Sequence, residues 1–403
     1  MKTTEYKDSE VGRIPVDWEV KKFKDVFSFL PTNTYAREFM TETIDFVHNV
    51  HYGDVLIRYG YILDFNSCYV PFLDSSRTHI QAKALLCDGD IIIADTAEDE
   101  TVGKAVEVIG LNGRKAVSGL HTMLCRPKEC VFYPGYLGYF MNSSMYHNQL
   151  LPLIVGTKVS SISKSAILDT YIIIPPIEQQ ALIAESLESV DVLLAKQETA
   201  IEKKRLVKEG LMQELLTGKK RLPGFSGEWV SVQLDSILSY EQPTKYLVSS
   251  TDYVESGIPV LTAGKSFVLG YTNENYGIYT NLPVIIFDDF VTESKYVSFP
   301  FKAKSSAMKM LRLRDDSLHN LRFIYSVMQL IDFPMIDHKR YWIKEYSKLY
   351  INIPATKAEE DAIEQIISDV DAEISALESQ RDKYLLLKQG MMQELLTGKT
   401  RLI

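Results

Sequence analysis

The sequence predicts an α+β fold: two mixed α/β domains separated by two long antiparallel coiled-coil helices, related by a pseudo-twofold internal duplication. Three observations predict it. The fifteen residues Lys208 to Leu222 recur as Lys388 to Leu402 with twelve identities, a repeat that chance does not produce. Each copy closes a run whose apolar or seam positions step by four and three residues without a break, the signature of a coiled coil. Between these runs lie strand-length apolar stretches bounded by Gly, Pro and polar residues.

The chain opens with Ile14-Pro15-Val16-Asp17-Trp18, which Leu222-Pro223-Gly224-Phe225-Ser226-Gly227-Glu228-Trp229 resembles weakly. Each half then carries a long variable region, about 24–170 and 235–350, and the two regions do not visibly match. Strands are expected at Val55–Arg58, Asp90–Ala94, Ala105–Val108, Pro283–Phe287 and Met308–Leu313, and short helices at 135–149 and 318–330. The first long helix is expected over about 178–216. Its seam runs through 183, 187, 190, 194, 197, 201, 204, 208, 211 and 215, and Gly218 stops it. The second is expected over about 358–396, with its seam at 363, 367, 370, 374, 377, 381, 384, 388, 391 and 395 and its stop at Gly398. These elements divide the chain into segments 1–170, 171–222, 223–352 and 353–403. Polar seam residues (Gln197, Lys204, Lys208, Arg381 and Lys388) lower stability and fix register. A helix of ~40 residues is ~60 Å long, so an antiparallel pair is a ruler that holds two domains a fixed distance apart.

The net charge of −9 is awkward for a nucleic-acid partner until it is located. Residues 178–216 hold eight acidic against five basic residues, and 358–396 ten against three, so the helices carry −10 and the rest of the chain +1. An acidic spacer suits protein partners. Off its seam, Leu193, Leu206, Leu216, Leu386, Leu387 and Leu396 either meet a partner helix or cap the local core.

In the variable regions basic residues interleave with aromatics and hydroxyls. The first offers Arg58, Tyr59, Tyr61, Arg77, His79, Lys104, Lys158, Ser160 and Ser161. The second offers Lys245, Tyr246, Lys265, Lys302, Lys304, Ser305 and the dense run His338-Lys339-Arg340-Tyr341-Trp342. Arg and Lys suit guanine acceptors, while Lys and hydroxyls suit phosphates; a solvated surface role competes at every single position.

No complete catalytic constellation appears. Gly264-Lys265-Ser266 lacks the leading glycine of a phosphate loop, and there is no Asn/Asp-Pro-Pro-aromatic methylation motif. His121, Cys125 and Cys130 match no zinc spacing, so no metal site is assigned. No apolar run is long enough to span a bilayer and no signal peptide is legible, which predicts a cytoplasmic protein.

The Ile-Pro…Trp openings, the Ile174-Pro175-Pro176…Glu178-Gln179 helix start and the doubled Gln-Glu-Leu-Leu-Thr-Gly-Lys ending together resemble the specificity subunits of type I restriction-modification systems, over nearly the whole chain. The second half departs at its helix start, with Ala355 for the second proline and Glu359-Glu360 for Glu-Gln. The resemblance implies that each variable region is a target-recognition domain reading one half of a bipartite DNA site. It implies helices that dock two adenine methyltransferase subunits, with restriction subunits joining in some systems. It implies a non-catalytic chain, with S-adenosylmethionine, ATP and Mg belonging to the partner subunits. The competing readings are a stand-alone methyltransferase or nuclease, against which the missing motifs weigh, and a coiled-coil adaptor that touches no DNA.

Overall fold

The structure, a computed structural model, describes residues 5–79, 85–129, 131–156, 158–264, 266–334 and 340–402. The chain packs as two compact units: residues 1–196 with 380–403, and residues 197–379. Each long helix therefore gives one half to each unit.

In the first unit a two-stranded ribbon, Glu19–Lys22 against Tyr171–Ile174, brackets the variable region. Within it a five-stranded sheet runs in the order Phe27–Leu30, Thr122–Pro127, Ile91–Ala94, Ala105–Ile109 and Ile62–Asp64; only the last pair is parallel. The central strand is covered on both faces, which is why it reads as an unbroken apolar run. Ile91 and Ile93 join the core beneath the helix Tyr136–Met141, while Ile92 and Ala94 join a second cluster with Val106, Val108 and Leu124. A smaller sheet orders Ala116–Ser118, His48–Val50, Phe72–Leu73 and Met40–Thr41.

The second unit repeats this plan. Val230–Gln233 pairs with Tyr350–Ile353 as the bracketing ribbon. A four-stranded antiparallel sheet follows, ordered Leu238–Glu241, Met308–Leu313, Val284–Asp288 and Ser294–Val297. Ile285 and Phe287 face the cluster that includes the helix Leu321–Met328, while Val284 and Ile286 face the cluster of Tyr279 and Phe301. A three-stranded sheet of Val268–Thr272, Ile258–Leu261 and Lys302–Ala303 adjoins. The duplication thus extends through the variable regions as architecture, although their sequences do not match. The strand Ile62–Asp64 is an addition of the first copy.

Four of the five expected strands form, with no end shifted by more than one residue. The exception is Val55–Arg58, which lies in and just beyond the helix Tyr52–Ile57. The side chain of His51 accepts from the amide of Gly53 at its start, so a local cap decides against the β-branched pattern. The helix expected over 135–149 divides into Tyr136–Met141 and Ser144–Leu150, because Ser143 caps a new start by accepting from Tyr146 N. The one expected over 318–330 contracts to Leu321–Met328, where Asn320 accepts from the amides of Arg322 and Phe323.

The long helices span Ile177–Leu215 and Lys357–Leu395. Every seam position is buried or half-buried along both. Each fully buried seam Leu or Ile contributes about 1.5–3 kcal/mol of transfer free energy. The polar seam residues find partners across the pair. In the second unit Gln197 donates to the carbonyl of Leu377 at 2.9 Å, Lys208 meets Asp371 at 2.6 Å, and Lys204 meets Glu373. Rising numbers on one helix meet falling numbers on the other, so the pair is antiparallel. In the first unit Lys388 meets Asp191 at 2.6 Å.

Each helix ends against a tryptophan. In the second unit Gly218 lies on the Trp229 ring, and Trp229 Nε1 donates to Glu359 Oε1 at 3.5 Å. In the first, Gly398 lies on Pro15 and Trp18, and Trp18 Nε1 donates to Gln179 Oε1 at 2.8 Å. Both glycines have positive φ, +71° and +70°, as a helix stop of this kind requires.

Candidate nucleic-acid interfaces

In the second unit the candidate residues separate by burial. Lys302 is fully buried: its ammonium pairs with Glu274 at 2.7 Å and donates to the carbonyl of Tyr276 at 2.8 Å. Tyr341 and Trp342 are core residues, packed with Phe287, Phe333 and Tyr346. These three are corrected: they hold the domain together and present nothing to a ligand. A basic–aromatic run gives no sign in the sequence of which members face inward. Lys265, His338 and Lys339 lie outside the described residues. Arg340, Lys245 and Ser305 are exposed, and Lys304 is half-buried with its ammonium 5.7 Å from the centre of the Tyr253 ring.

The fold draws these survivors together. The turn Pro243–Tyr246 carries Lys245 and leads into Val248, whose amide donates to Ala303 O beside Lys304. Beneath them lies a fully buried ion pair, Lys309 to Asp289 at 2.9 Å. Asp289 also accepts from the amide of Trp342 at 2.8 Å, its carbonyl accepts from Tyr341 N, and its own amide donates to Ala307 O. One buried pair therefore anchors the segments bearing Arg340 and Ser305. Tyr246 turns sideways, donating its hydroxyl to Glu241 and packing edge-on against Tyr279.

In the first unit the Arg58-Tyr59-Gly60-Tyr61 run parts three ways, because it follows a helix instead of forming a strand. Arg58 is exposed, 3.6 Å from the buried carboxylate of Asp54. Tyr59 is buried in the core. Tyr61 faces the second long helix, with Lys388 over its ring at 4.4 Å. Lys104 donates to the carbonyls of Leu56 and Tyr59, closing the end of the helix Tyr52–Ile57, and burial lowers its pKa. Tyr59, Tyr61 and Lys104 are thus corrected to structural roles. Arg77 and His79 stay exposed on a segment laid against 35–39: Arg77 donates to Glu38 O and stacks 4.6 Å over Phe39, while the Tyr35 hydroxyl accepts from His79 N. Arg37, which the sequence did not single out, pairs with the same Asp54 at 3.0 Å and so joins Arg58 to this surface. Only the fold brings it there. Lys158 is exposed, and Ser160–Ser161 pairs antiparallel with Thr96–Ala97 in a short two-stranded ribbon. The Thr96 hydroxyl approaches His121, whose ring packs edge-on against Tyr52 of the same helix.

Along the long helices Leu193, Leu206, Leu386 and Leu387 are exposed, as docking residues must be; Leu386 reaches 69%. Val192, Val207 and Leu385 extend these exposed positions. Leu216 and Leu396 are corrected. Each sits one residue past the last seam position and turns into its unit's core with Leu215 or Leu395.

Cys125 is fully buried in the sheet core and His121 stands on an exposed turn beside Asp95, while Cys130 lies outside the described residues. Among the described residues no group of three or more His, Cys, Asp or Glu could hold a metal ion, and no helix is long and apolar enough to cross a membrane.

Residues 15–203 match the family model described as the type I restriction modification DNA specificity domain. The chain is 43% identical over 201 residues to the type I restriction enzyme EcoR124I/EcoR124II specificity subunit of Escherichia coli. Over its first half the chain is thus similar to the DNA specificity domains of type I restriction-modification specificity subunits. The Escherichia coli match spans 44% of the chain and about half, 49%, of that relative. A putative specificity subunit of Methanocaldococcus jannaschii, MjaX, is 24% identical across 99% of the chain and 97% of its own length. In fold the chain is similar to the type I S subunit from M. genitalium, with a TM-score of 0.58 and 13% identity over 94% of the chain and 96% of that structure. A structure from work on the assembly and conformational transition of the type I R-M system gives the same TM-score at 16% identity, over 96% of the chain and 99% of its own. These two likenesses establish the architecture over both halves.

Proposed function

We propose that the chain reads a bipartite DNA site, one recognition domain per half-site, as the specificity subunit of a type I restriction-modification complex. The observation that carries this is the duplicated frame. Both halves share one sheet order, one bracketing ribbon and one helix ending, yet they present different basic surfaces. One mechanism applied to two different targets asks for that arrangement. The DNA-facing residues are Arg58, Arg77, His79 and Lys158 in the first domain, and Lys245, Lys304, Ser305 and Arg340 in the second. Lys and Ser suit phosphates, and Arg suits guanine.

The exposed leucines on the acidic helices dock two methyltransferase subunits, with restriction subunits as further partners. On this reading the chain is cytoplasmic and does no chemistry itself. S-adenosylmethionine, ATP and Mg are bound by the partners. The test is methylation mapping in a host without other methyltransferases, with the chain co-expressed beside its methyltransferase subunit. Two short methylated blocks around a fixed unspecified spacer are expected. A complex that forms but leaves no new motif would return weight to a coiled-coil adaptor that does not touch DNA.

A further inference from the structure

The convergence over the Asp289–Lys309 pair contains a residue with an unusually determined orientation. Gln242 is exposed, at the end of the strand Leu238–Glu241 and just before the turn that carries Lys245. Its Oε1 accepts from Lys309 Nζ at 3.2 Å. An ammonium has only hydrogens to offer, so the amide oxygen must face Lys309 and the NH2 group must face away. Lys309 is itself immobilised, fully buried and paired with the fully buried Asp289. A surface glutamine ordinarily samples many rotamers and either amide sense; this one has its sense fixed from beneath. Around it lie Lys245 on its own turn, and the segments of Arg340 and Ser305 that Asp289 anchors.

We propose that Gln242 is a specificity-determining residue of the second recognition domain, donating through its outward NH2 to a hydrogen-bond acceptor on a base edge. The proposal rests on the reading of the chain as a DNA-binding subunit. Acceptors in the major groove are guanine O6 and N7, adenine N7 and thymine O4. Adenine also invites a bidentate pairing, in which the glutamine uses both its oxygen and its nitrogen. Gln242 does not offer that pairing, because its oxygen is turned inward to Lys309 and only its NH2 faces outward. A keto-bearing base, guanine or thymine, is therefore favoured. Lys309 is a positioning residue that acts only through Gln242.

The experiment uses the chain assembled with its methyltransferase subunit and a library of half-sites substituted one base pair at a time, with binding and methylation read for each. In Gln242→Ala, discrimination at one base pair of one half-site falls about fivefold, the worth of a single hydrogen bond, and every other position is unchanged. Gln242→Glu keeps an acceptor for Lys309 but turns the outward group from donor to acceptor, so preference at that same base pair moves to the amino-bearing cytosine or adenine. The paired variant Lys309→Met with Asp289→Asn leaves no stranded charge and frees the amide to turn over, so that base pair accepts both classes. If the paired variant does not fold, Gln242→Glu, a surface change, decides alone. A uniform loss across all base pairs in Gln242→Ala marks a phosphate contact and overturns the proposal, as does no change. A wild-type complex that selects no sequence at all sinks the underlying functional reading, a result distinct from either.

Discussion

Glu107 shows how much one side chain can hold at the residue scale. It sits on the strand Ala105–Ile109, almost wholly buried, and its two oxygens accept from the amides of Gly135 and Gly138 at the start of the helix Tyr136–Met141. Burial pushes its pKa up to about 7 despite those donors. Because the folded state holds the proton more tightly than the unfolded one, this group's contribution is fullest below the usual carboxylate range and declines as pH rises to about 7. Glu107→Ala strands two amides, and its cost is expected to be larger at pH 5 than at pH 8, by roughly 3 kcal/mol for a shift of this size; urea titrations at the two pH values measure it. An equal cost at both would refute the assignment. Nothing in the sequence marks this glutamate. The same blindness explains the candidates that the fold withdrew. Lys104, Lys302, Tyr341 and Trp342 have the composition of a binding surface, and only the three-dimensional path of the chain decides that they face inward.

At the scale of elements the long helices were the most legible part of the molecule. A period of 3.5 sustained over ten seam positions has few competing readings, and the observed ends fall within a residue of those expected. Short elements were less so. Val55–Arg58 has strand composition, but a cap on His51 outweighs four residues of propensity. The cations of the long helices differ in environment, on the seam and off it, which sets their worth. Lys388 is largely covered, paired with Asp191 and placed over the rings of Tyr61 and Tyr139, whereas Arg205 meets Glu378 in the open. Lys388→Met is expected to cost about 1–3 kcal/mol by leaving Asp191 short of its cation, and Arg205→Met about 0–1; denaturant midpoints of the two variants rank them. The helix stops differ likewise. A Cβ on Gly398 would lie 2.5 Å from Pro15, and one on Gly218 no closer than 3.1 Å to Trp229. Both alanine variants bear the strain of a positive φ, about 1 kcal/mol or more. Gly398→Ala should lose more, a ranking that thermal melts of the two check.

For the whole molecule, the duplication was readable from fifteen residues, while its extent was not. The two variable regions share a sheet order without sharing a visible sequence, because a buried sheet asks only for apolar residues of about the right size at alternating positions. The first unit is closed by the far end of the chain. Tyr6 donates to Gly398 O, Arg401 pairs with Asp17 at 2.7 Å, and Leu395 and Leu396 enter the same core as Trp18. Truncation after Leu395 is therefore expected to loosen residues 5–30 and spare the second unit; amide hydrogen exchange would show it, and uniform protection in the truncated chain would contradict it.

That closure sets a clock on synthesis. The second unit is one continuous stretch, 197–379, while the first needs residues 380–403, which are made after the whole of the second. Domains generally fold from the N-terminus onward as they emerge. Here the order reverses: the later-made unit completes first, and the earlier one waits for residues 380–403 with Trp18 uncovered. Pulse proteolysis of arrested nascent chains should find residues 197–379 resistant before 5–196. Throughout that interval the unfinished half depends on whatever in the cell shields an exposed apolar surface.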